Sequence, residues 1–302
     1  MDILKITKIN EEMTNNPYEY IKKCEEKFVY KVKKAVNYIE EKNIKYVFIS
    51  GPSSSGKTTF SKGIVHYLKS KKLITISLDD YYKTLNDMPK KKDGDYNFES
   101  VYSLRLKDME EDFKKLISGE DVYIPLVDFE TGKRVEDHSS LRADDDTIVV
   151  IEGLHALNEK ILSMFKDEKI FKIFIRPEPK VECKDGNLIS IYDVRFVRRM
   201  VRDNNYRNSD ARNSLRMWQS VRDGEKIYMD KYRKTADVRI NTFLNYEPCI
   251  LKNDAIELLS EVKEGETHYI KARRIINNLS EFISFPKDSV PENSLLNEFI
   301  KK

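Results

Sequence analysis

The eight residues Gly51-Pro-Ser-Ser-Ser-Gly56-Lys57-Thr58 constrain this chain more than any other stretch, because they match the pattern GxxxxGK[ST] in full. In that pattern a loop wraps its backbone N–H groups round phosphate oxygens, and the glycines permit the close approach and positive φ angles that the wrap needs. Lys57 supplies a charge to the β- and γ-phosphates, the Thr58 hydroxyl is placed to hold Mg²⁺, and a helix opening at Lys57 adds its N-terminal dipole. Gly51, Ser53, Ser54, Ser55, Gly56, Lys57, Thr58 and Thr59 are therefore the expected nucleotide-binding residues. The setting agrees with the motif. The β-branched and aromatic run Tyr46 to Ile49 reads as a buried strand, and Lys57 to about Lys69 reads as a helix, so the loop lies where a phosphate cradle must lie.

Further apolar strand candidates follow at 74–77 (ITIS), 147–151 (TIVVI), 171–175 (FKIFI) and 236–240 (ADVRI), with helical stretches between them. Strands alternating with helices predict a mainly parallel sheet covered on both faces, an α/β fold of the P-loop NTPase type. Residues 17–44 carry Tyr20, Ile21, Phe28, Val32, Ala35, Val36 and Ile39 at mixed spacings of 3, 4 and 7, which predicts an amphipathic helix leading into that domain. Two segments break the alternation. Residues 86–100 are polar and turn-rich, and 193–235 is a long Arg-rich helical region with one glycine, Gly224; both are candidate mobile elements over a site. Beyond Asn245, about 57 residues read as two or three helices. The expected organisation is a helical lead-in at 1–44, a P-loop domain at 45–245 with a helical lid at about 193–235, and a helical C-terminal extension at 246–302.

Composition narrows the partners. Lys and Arg number 54 against 51 Asp and Glu, a net charge of only +3, so no strong pull toward nucleic acid or a membrane surface is expected. Cys24, Cys183 and Cys249 have no CxxC spacing, which suggests neither a zinc site nor a disulfide framework and fits a reducing cytosol. The N-terminal MDILKITKIN lacks the apolar core of a signal peptide, and no apolar run approaches the roughly 18 residues of a membrane span. A soluble, cytoplasmic protein is the expectation, and a homo-oligomer is compatible with it.

A P-loop alone serves switches, motors and kinases. The guanine-selecting pattern [NT]KxD is absent from the sequence, which weighs against a GTPase. Ligands in such sheets bind outside the carboxyl ends of the strands, and there the sequence places Asp79 and Asp80 after TISL and Glu152 after TIVVI. Phosphoryl transfer to a hydroxyl needs a carboxylate to take the proton and cations to offset charge on the moving group. Asp79 is the expected base and Glu152 an expected Mg²⁺ residue through water; the plainer alternatives are a helix cap and a surface residue at a strand end. Arg195, Arg198, Arg199 and Arg202 share a helical face, with Arg207 beyond, and make either a solvated basic face or a lid over the phosphates.

With these pieces in order, the chain resembles the uridine kinase family of P-loop nucleoside kinases from about Tyr46 to Asn241, through GPSSSGKTT (51–59), LDDYYK (78–83), YNFES (96–100), IPLVDF (124–129), IEGLHALN (151–158) and RRMVRDNNYR (198–207). The resemblance implies an ATP- and Mg²⁺-dependent kinase acting on a nucleoside. It makes Asp79 the catalytic base and gathers Thr58, Asp79 and Glu152 around Mg²⁺. It puts Phe98 and Glu99 in the acceptor pocket, Glu99 where the family has an Asp that binds the ribose hydroxyls, with Tyr82 and Phe129 lining it. Arg199, Arg202 and Arg207 match lid arginines that close on the phosphates and sugar.

Three positions depart from the pyrimidine-specific pattern. Val127 replaces a Tyr, Gly132 replaces a base-reading His, and Ser209 replaces a further lid arginine, so base recognition is expected to be weak or altered while phosphoryl transfer is kept. Lys133 and Arg134 could read a different acceptor group or form a solvated turn. DFETGKR, SLRMWQSVRDGEK, TADVRIN and VPENSLLNEF resemble a longer branch of the family whose fuller members carry an N-terminal domain similar to one in threonyl-tRNA synthetases. About 45 residues precede the first core strand, too few for that domain, so a form without it is expected. Arg216 and Trp218 fall in that branch's lid, where Trp218 reads equally well as a packing residue between helices. Two rival readings stay open: a kinase of another alcohol, such as a sugar phosphate or pantothenate, and an ATP-binding regulatory protein without acceptor turnover.

Overall fold

The computed structural model describes residues 3–68, 72–92, 94–127 and 134–301. In chain order the elements are β1 (Leu4–Lys5), α1 (Ile6–Asn15), α2 (Pro17–Glu41), β2 (Tyr46–Ser50), α3 (Lys57–Tyr67), β3 (Lys72–Ser77), α4 (Leu106–Ser118), β4 (Val122–Val127), β5 (Arg134–Leu141), β6 (Thr147–Gly153), α5 (Glu159–Leu162), β7 (Ile170–Arg176), β8 (Val181–Glu182), α6 (Ile191–Arg207), α7 (Ala211–Tyr228), α8 (Asp230–Arg233), β9 (Val238–Asn241), α9 (Glu247–Ser260) and α10 (Tyr269–Ser280). Among the described residues, five strands form one sheet in the order β3-β6-β2-β7-β9, and every pairing in it is parallel. The five apolar runs read from the sequence are these five strands.

Side-chain alternation explains why both faces need cover. On β2, Val47 and Ile49 enter one apolar cluster with α2, α3, α6 and α9, while Tyr46 and Phe48 enter a second one with α4. Strand β6 repeats the division, Ile148 and Val150 on one face and Val149 and Ile151 on the other. Pro17 starts α2 at its first helical position, where no N–H is needed, and the helix buries Ile21, Cys24, Phe28, Val32, Ala35, Val36 and Ile39 along one stripe.

Two features depart from the sequence reading. Strands β4 and β5 pair as an antiparallel hairpin outside the main sheet. Strand β5, RVEDHSSL, is polar and mostly exposed, so it offers no apolar alternation to detect. Helix α6 is also not a solvated basic face. Arg195 and Arg198 are 1% and 0% exposed, paired with Glu225 and Glu247 respectively. Trp218 is buried and meets Phe196 edge-on at 5.4 Å, so it packs α7 on α6.

Helix α9 packs against α10 and against α6, and Arg274 of α10 pairs with Asp193 of α6 at 2.6 Å. All three cysteines are free and buried, and burial pushes the pKa of each thiol up. Among the described residues no helix is long and apolar enough to cross a membrane.

Candidate active site

Strand β2 ends at Ser50, tied by its hydroxyl to the Leu154 carbonyl at 2.8 Å, and the loop leaves through Gly51. A Cβ on Gly51 would lie 2.2 Å from the Ile175 carbonyl oxygen, so only glycine lets the loop leave the sheet this closely. Gly56 caps α3 in the left-handed region at φ 85°. Between them, five successive carbonyls receive a side-chain donor. Lys57 Nζ donates to Gly51 and Pro52 at 3.1 and 3.3 Å, and Arg195 Nε to Ser53 at 3.3 Å. Arg198 Nη1 donates to Ser54 at 3.3 Å and the Thr242 hydroxyl to Ser55 at 2.7 Å. With the carbonyls held this way, the N–H groups are left for a ligand. The hydroxyls of Ser54 and Ser55 are buried with no hydrogen-bond partner among the described residues, polar capacity that phosphate oxygens would use.

Carboxylates stand at the ends of the neighbouring strands. Ser77 on β3 is in register with Glu152 on β6, and Asp79 follows two residues on, in a short 3₁₀ turn. Ser77 caps that turn by accepting from the Asp79 N–H, so Asp79 is not the cap, and it lies exposed. Asp80 turns elsewhere. It accepts from the Val127 backbone at the hairpin, and burial raises its pKa. Glu152 is buried and accepts from the Thr58 hydroxyl at 3.4 Å. Burial, then the charges of Asp79 and Glu298, push its pKa up to about 7 against the pull of Lys57. Among the described residues no group of three or more His, Cys, Asp or Glu could hold an ion by itself. The Thr58 hydroxyl and the Glu152 carboxylate, with Asp79 nearby, are hard oxygen donors of the kind Mg²⁺ takes together with phosphate and water.

The three expected lid arginines converge on one carboxylate. Asp203 is 3.2 Å from Arg199 Nε, 2.7 Å from Arg202 Nη2 and 3.7 Å from Arg207 Nε. Arg199 Nη1 also reaches the Ser53 hydroxyl at 3.5 Å, which brings the cluster to the edge of the loop. Burial lowers the pKa of both Arg199 and Arg207, and Asp79 acts electrostatically on Arg207.

On the other side of Asp79, the Tyr82 hydroxyl donates to the Phe98 carbonyl at 3.0 Å, and the Phe98 ring is 37% exposed. Glu99 lies against Gly224 of α7; a Cβ at that glycine would come within 2.3 Å of the Glu99 Cβ. Burial, then the nearby Glu225, push the Glu99 carboxyl up to about 7, opposed by Arg199 and Arg195. Tyr82, Phe98 and Glu99 are thus brought together. Phe129, Gly132 and Lys133 lie outside the described residues. Arg134 is not in a solvated turn. Its side chain is 8% exposed and donates to the carbonyls of Asp80 and Tyr82 at 3.2 Å each, tying the hairpin to the Asp79 turn.

Residues 47–246 match the family model described as Phosphoribulokinase / Uridine kinase family, two thirds of the chain. The chain belongs to this family. The uridine kinase of Ureaplasma parvum serovar 3 is 26% identical over 196 residues, covering 64% of this chain and 86% of that protein. The uridine kinase of Schizosaccharomyces pombe is 30% identical over 174 residues, 56% of this chain but only 34% of the yeast protein. A solved structure titled as a possible uridine kinase from Bacillus stearothermophilus aligns with a TM-score of 0.45 at 15% identity, covering 70% of this chain and 100% of that one; a likeness this loose decides nothing about activity.

In this member of the phosphoribulokinase/uridine kinase family, several residues of the site escaped the sequence reading. Asp203 could have been found, since it falls at i+4 from Arg199 and i−4 from Arg207 on one helix. Arg195, Arg198 and Thr242 face the loop from behind, and only the tertiary packing shows that. Glu298 is the least legible: it lies 239 residues from Thr59, yet it accepts from both the Thr59 N–H and its hydroxyl.

Proposed function

We propose that this chain is a nucleoside kinase that uses ATP and Mg²⁺ to phosphorylate a sugar hydroxyl. The observation that supports this most is the grouping of a complete P-loop, a buried Glu152 bonded to Thr58, and an exposed Asp79 next to it in adjoining strand ends. In this reading Lys57 swings from the carbonyls of Gly51 and Pro52 to the phosphates, and Arg199, Arg202 and Arg207 move onto the transferring group. Thr58 and Glu152 would hold the Mg²⁺, whose contribution when bound is to neutralise charge on the phosphates. Asp79 accepts the acceptor's hydroxyl proton; the hydroxyl oxygen bonds to the γ-phosphorus as the bond from that phosphorus to the bridging oxygen breaks, and ADP leaves.

Glu99 would receive the sugar hydroxyls, with Tyr82 and Phe98 beside it; Phe129, which the family resemblance adds to the pocket, lies outside the described residues. Since Val127 and Gly132 stand where base-reading side chains would be, the diol should matter more than the base. A site that hydrogen-bonds a hydroxyl rejects the analogue lacking it far more strongly than an open pocket rejects a change of shape. The test compares kcat/KM for uridine, cytidine, a purine nucleoside and their 2′-deoxy forms. Loss of the 2′-hydroxyl should cost more than exchange of the base. Sharp preference for uridine and cytidine, with deoxy forms accepted equally, would refute the reading of the pocket. ATP turnover with sugar alcohols alone would point to another acceptor, and nucleotide binding without turnover on any acceptor would point to a regulatory protein.

A further inference from the structure

The nucleotide side of the cleft carries a contact that phosphoryl transfer does not use. Past α10 the chain makes two 3₁₀ turns and returns across the P-loop with the second, Leu295–Glu298, opened by Ser294, whose hydroxyl accepts from the Leu296 N–H. Leu295 and Leu296 are 0% exposed, so the turn is anchored in the core. Leu295 sits directly on the cradle, where a Cβ on Gly56 would lie 2.6 Å from its Cδ1. From that anchor Glu298 reaches the start of α3. Its Oε1 accepts from the Thr59 N–H at 2.7 Å and from the Thr59 hydroxyl at 2.5 Å.

Thr59 is the third residue of α3, so its N–H is one of the unpaired donors that a helix leaves at its first turn. Those donors, with the positive end of the helix dipole, are what a P-loop offers to phosphate. Here a carboxylate already holds one of them. Lys57 is meanwhile folded back on the loop carbonyls. The negative charge of Glu298 is also felt at Glu152, which places it among the groups that would surround the phosphates. Two anions cannot share the Thr59 N–H at 2.7 Å, and like charges this close repel.

We infer that Glu298 belongs to the nucleotide site as an internal competitor: the C-terminal turn holds the Thr59 donor until the phosphates of a nucleoside di- or triphosphate displace it. The inference rests on the kinase reading of the P-loop. It predicts that the apparent affinity for nucleotide is lowered by the fraction of molecules in which the turn is closed. A plain structural cap, the other role a carboxylate can have at a helix start, makes no such prediction.

The experiment measures MgADP binding to the unaltered chain, Glu298→Gln and Glu298→Ala, with amide hydrogen exchange of residues 294–300 in the unaltered chain with and without MgADP. Both variants should bind MgADP roughly tenfold more tightly, the scale of one charge-assisted contact at a helix start, while KM for the acceptor stays unchanged. MgADP should speed exchange across 294–300. Equal or weaker MgADP binding in the variants would overturn the inference. So would slower exchange on binding, because the turn would then be closing over the nucleotide rather than giving way to it. The exchange arm needs no substitution, so a variant that folds poorly does not spoil the test. If the unaltered chain bound no MgADP, the kinase reading and this inference would fall together; binding that ignores Glu298 would remove the inference alone.

Discussion

Around the P-loop, the carbonyls of Gly51, Pro52, Ser53, Ser54 and Ser55 each receive a side-chain donor, and two of the donors are arginines in buried ion pairs. In the 86–100 segment, several ties of the described residues go to one helix. Lys91 bonds Ser220, Asn97 bonds the Tyr228 hydroxyl at 3.2 Å, and Glu99 rests on Gly224, all on α7. The P-loop is braced to the core, whereas the 86–100 segment, proposed to hold the acceptor, is braced to α7. A shift of α7 would therefore carry Glu99 with it directly and reach the cradle through the Glu225–Arg195 pair. Arg195 joins the two, since it supports Ser53 and pairs with Glu225 beside Gly224.

The largest effect should come from the cradle itself. Lys57→Ala should abolish turnover and lower the melting temperature only slightly, since what the fold loses is two hydrogen bonds to the loop carbonyls of Gly51 and Pro52; normal turnover would remove the assignment. Asp79→Asn should keep ADP binding and lower kcat by about 10²- to 10⁴-fold, the usual worth of a general base. Asp80→Asn should be the milder change, and the reverse order would transfer the role to Asp80.

The brace behind the cradle is tested by Glu247→Ala, which leaves Arg198 buried with its charge unpaired. Loss of a buried partner typically costs about 3–5 kcal/mol, and denaturant unfolding should read a loss of that order. A loss below about 1 kcal/mol, the value of an exposed pair, would show that the two sides of the cleft do not differ as described.

Gly224→Ala probes the side of the 86–100 segment. The new methyl would push against Glu99 at 2.3 Å, so KM for the acceptor should rise several-fold with KM for ATP unchanged. Equal changes in both constants would mean that α7 is coupled to the cradle as tightly as to the acceptor loop.

The last test concerns pH. The Glu99 carboxyl titrates at about 7 in the fold against 4.5 when free, so unfolding releases its proton between those values. Its favourable contribution is complete below the unfolded value and is lost as pH rises through about 7. Glu99→Gln cannot ionise, and its melting temperature should therefore gain on that of the unaltered chain at pH 8 and lose that gain by pH 5. A constant difference across the range would place the Glu99 carboxyl in solvent.

The two sides of the cleft also differ in how far the sequence revealed them. The five strands and the cradle were legible because buried parallel strands demand continuous apolar runs and phosphate wrapping demands glycines at set spacing. Strand-end position points to Asp79, Asp80 and Glu152, and the structure gives Asp79 and Asp80 different partners. The hairpin β4–β5 was missed because its second strand has no buried face. Arg195 and Arg198 fell on the same helical face as Arg199 and Arg202, yet periodicity reports a face and not what lies against it. Their buried partners, Glu225 and Glu247, are 30 and 49 residues away. Glu298 was invisible for the same reason over a longer span.

Thiolate, not thiol, reacts with alkylating reagents. Cys24, Cys183 and Cys249 are buried, and their raised pKa values leave almost no thiolate at neutral pH. The folded chain should therefore react slowly with a maleimide dye. A single cysteine set at Ile227, 61% exposed on α7, would take the label without any native cysteine being removed. Any shift of α7 on adding nucleotide could then be read by fluorescence in an otherwise native chain.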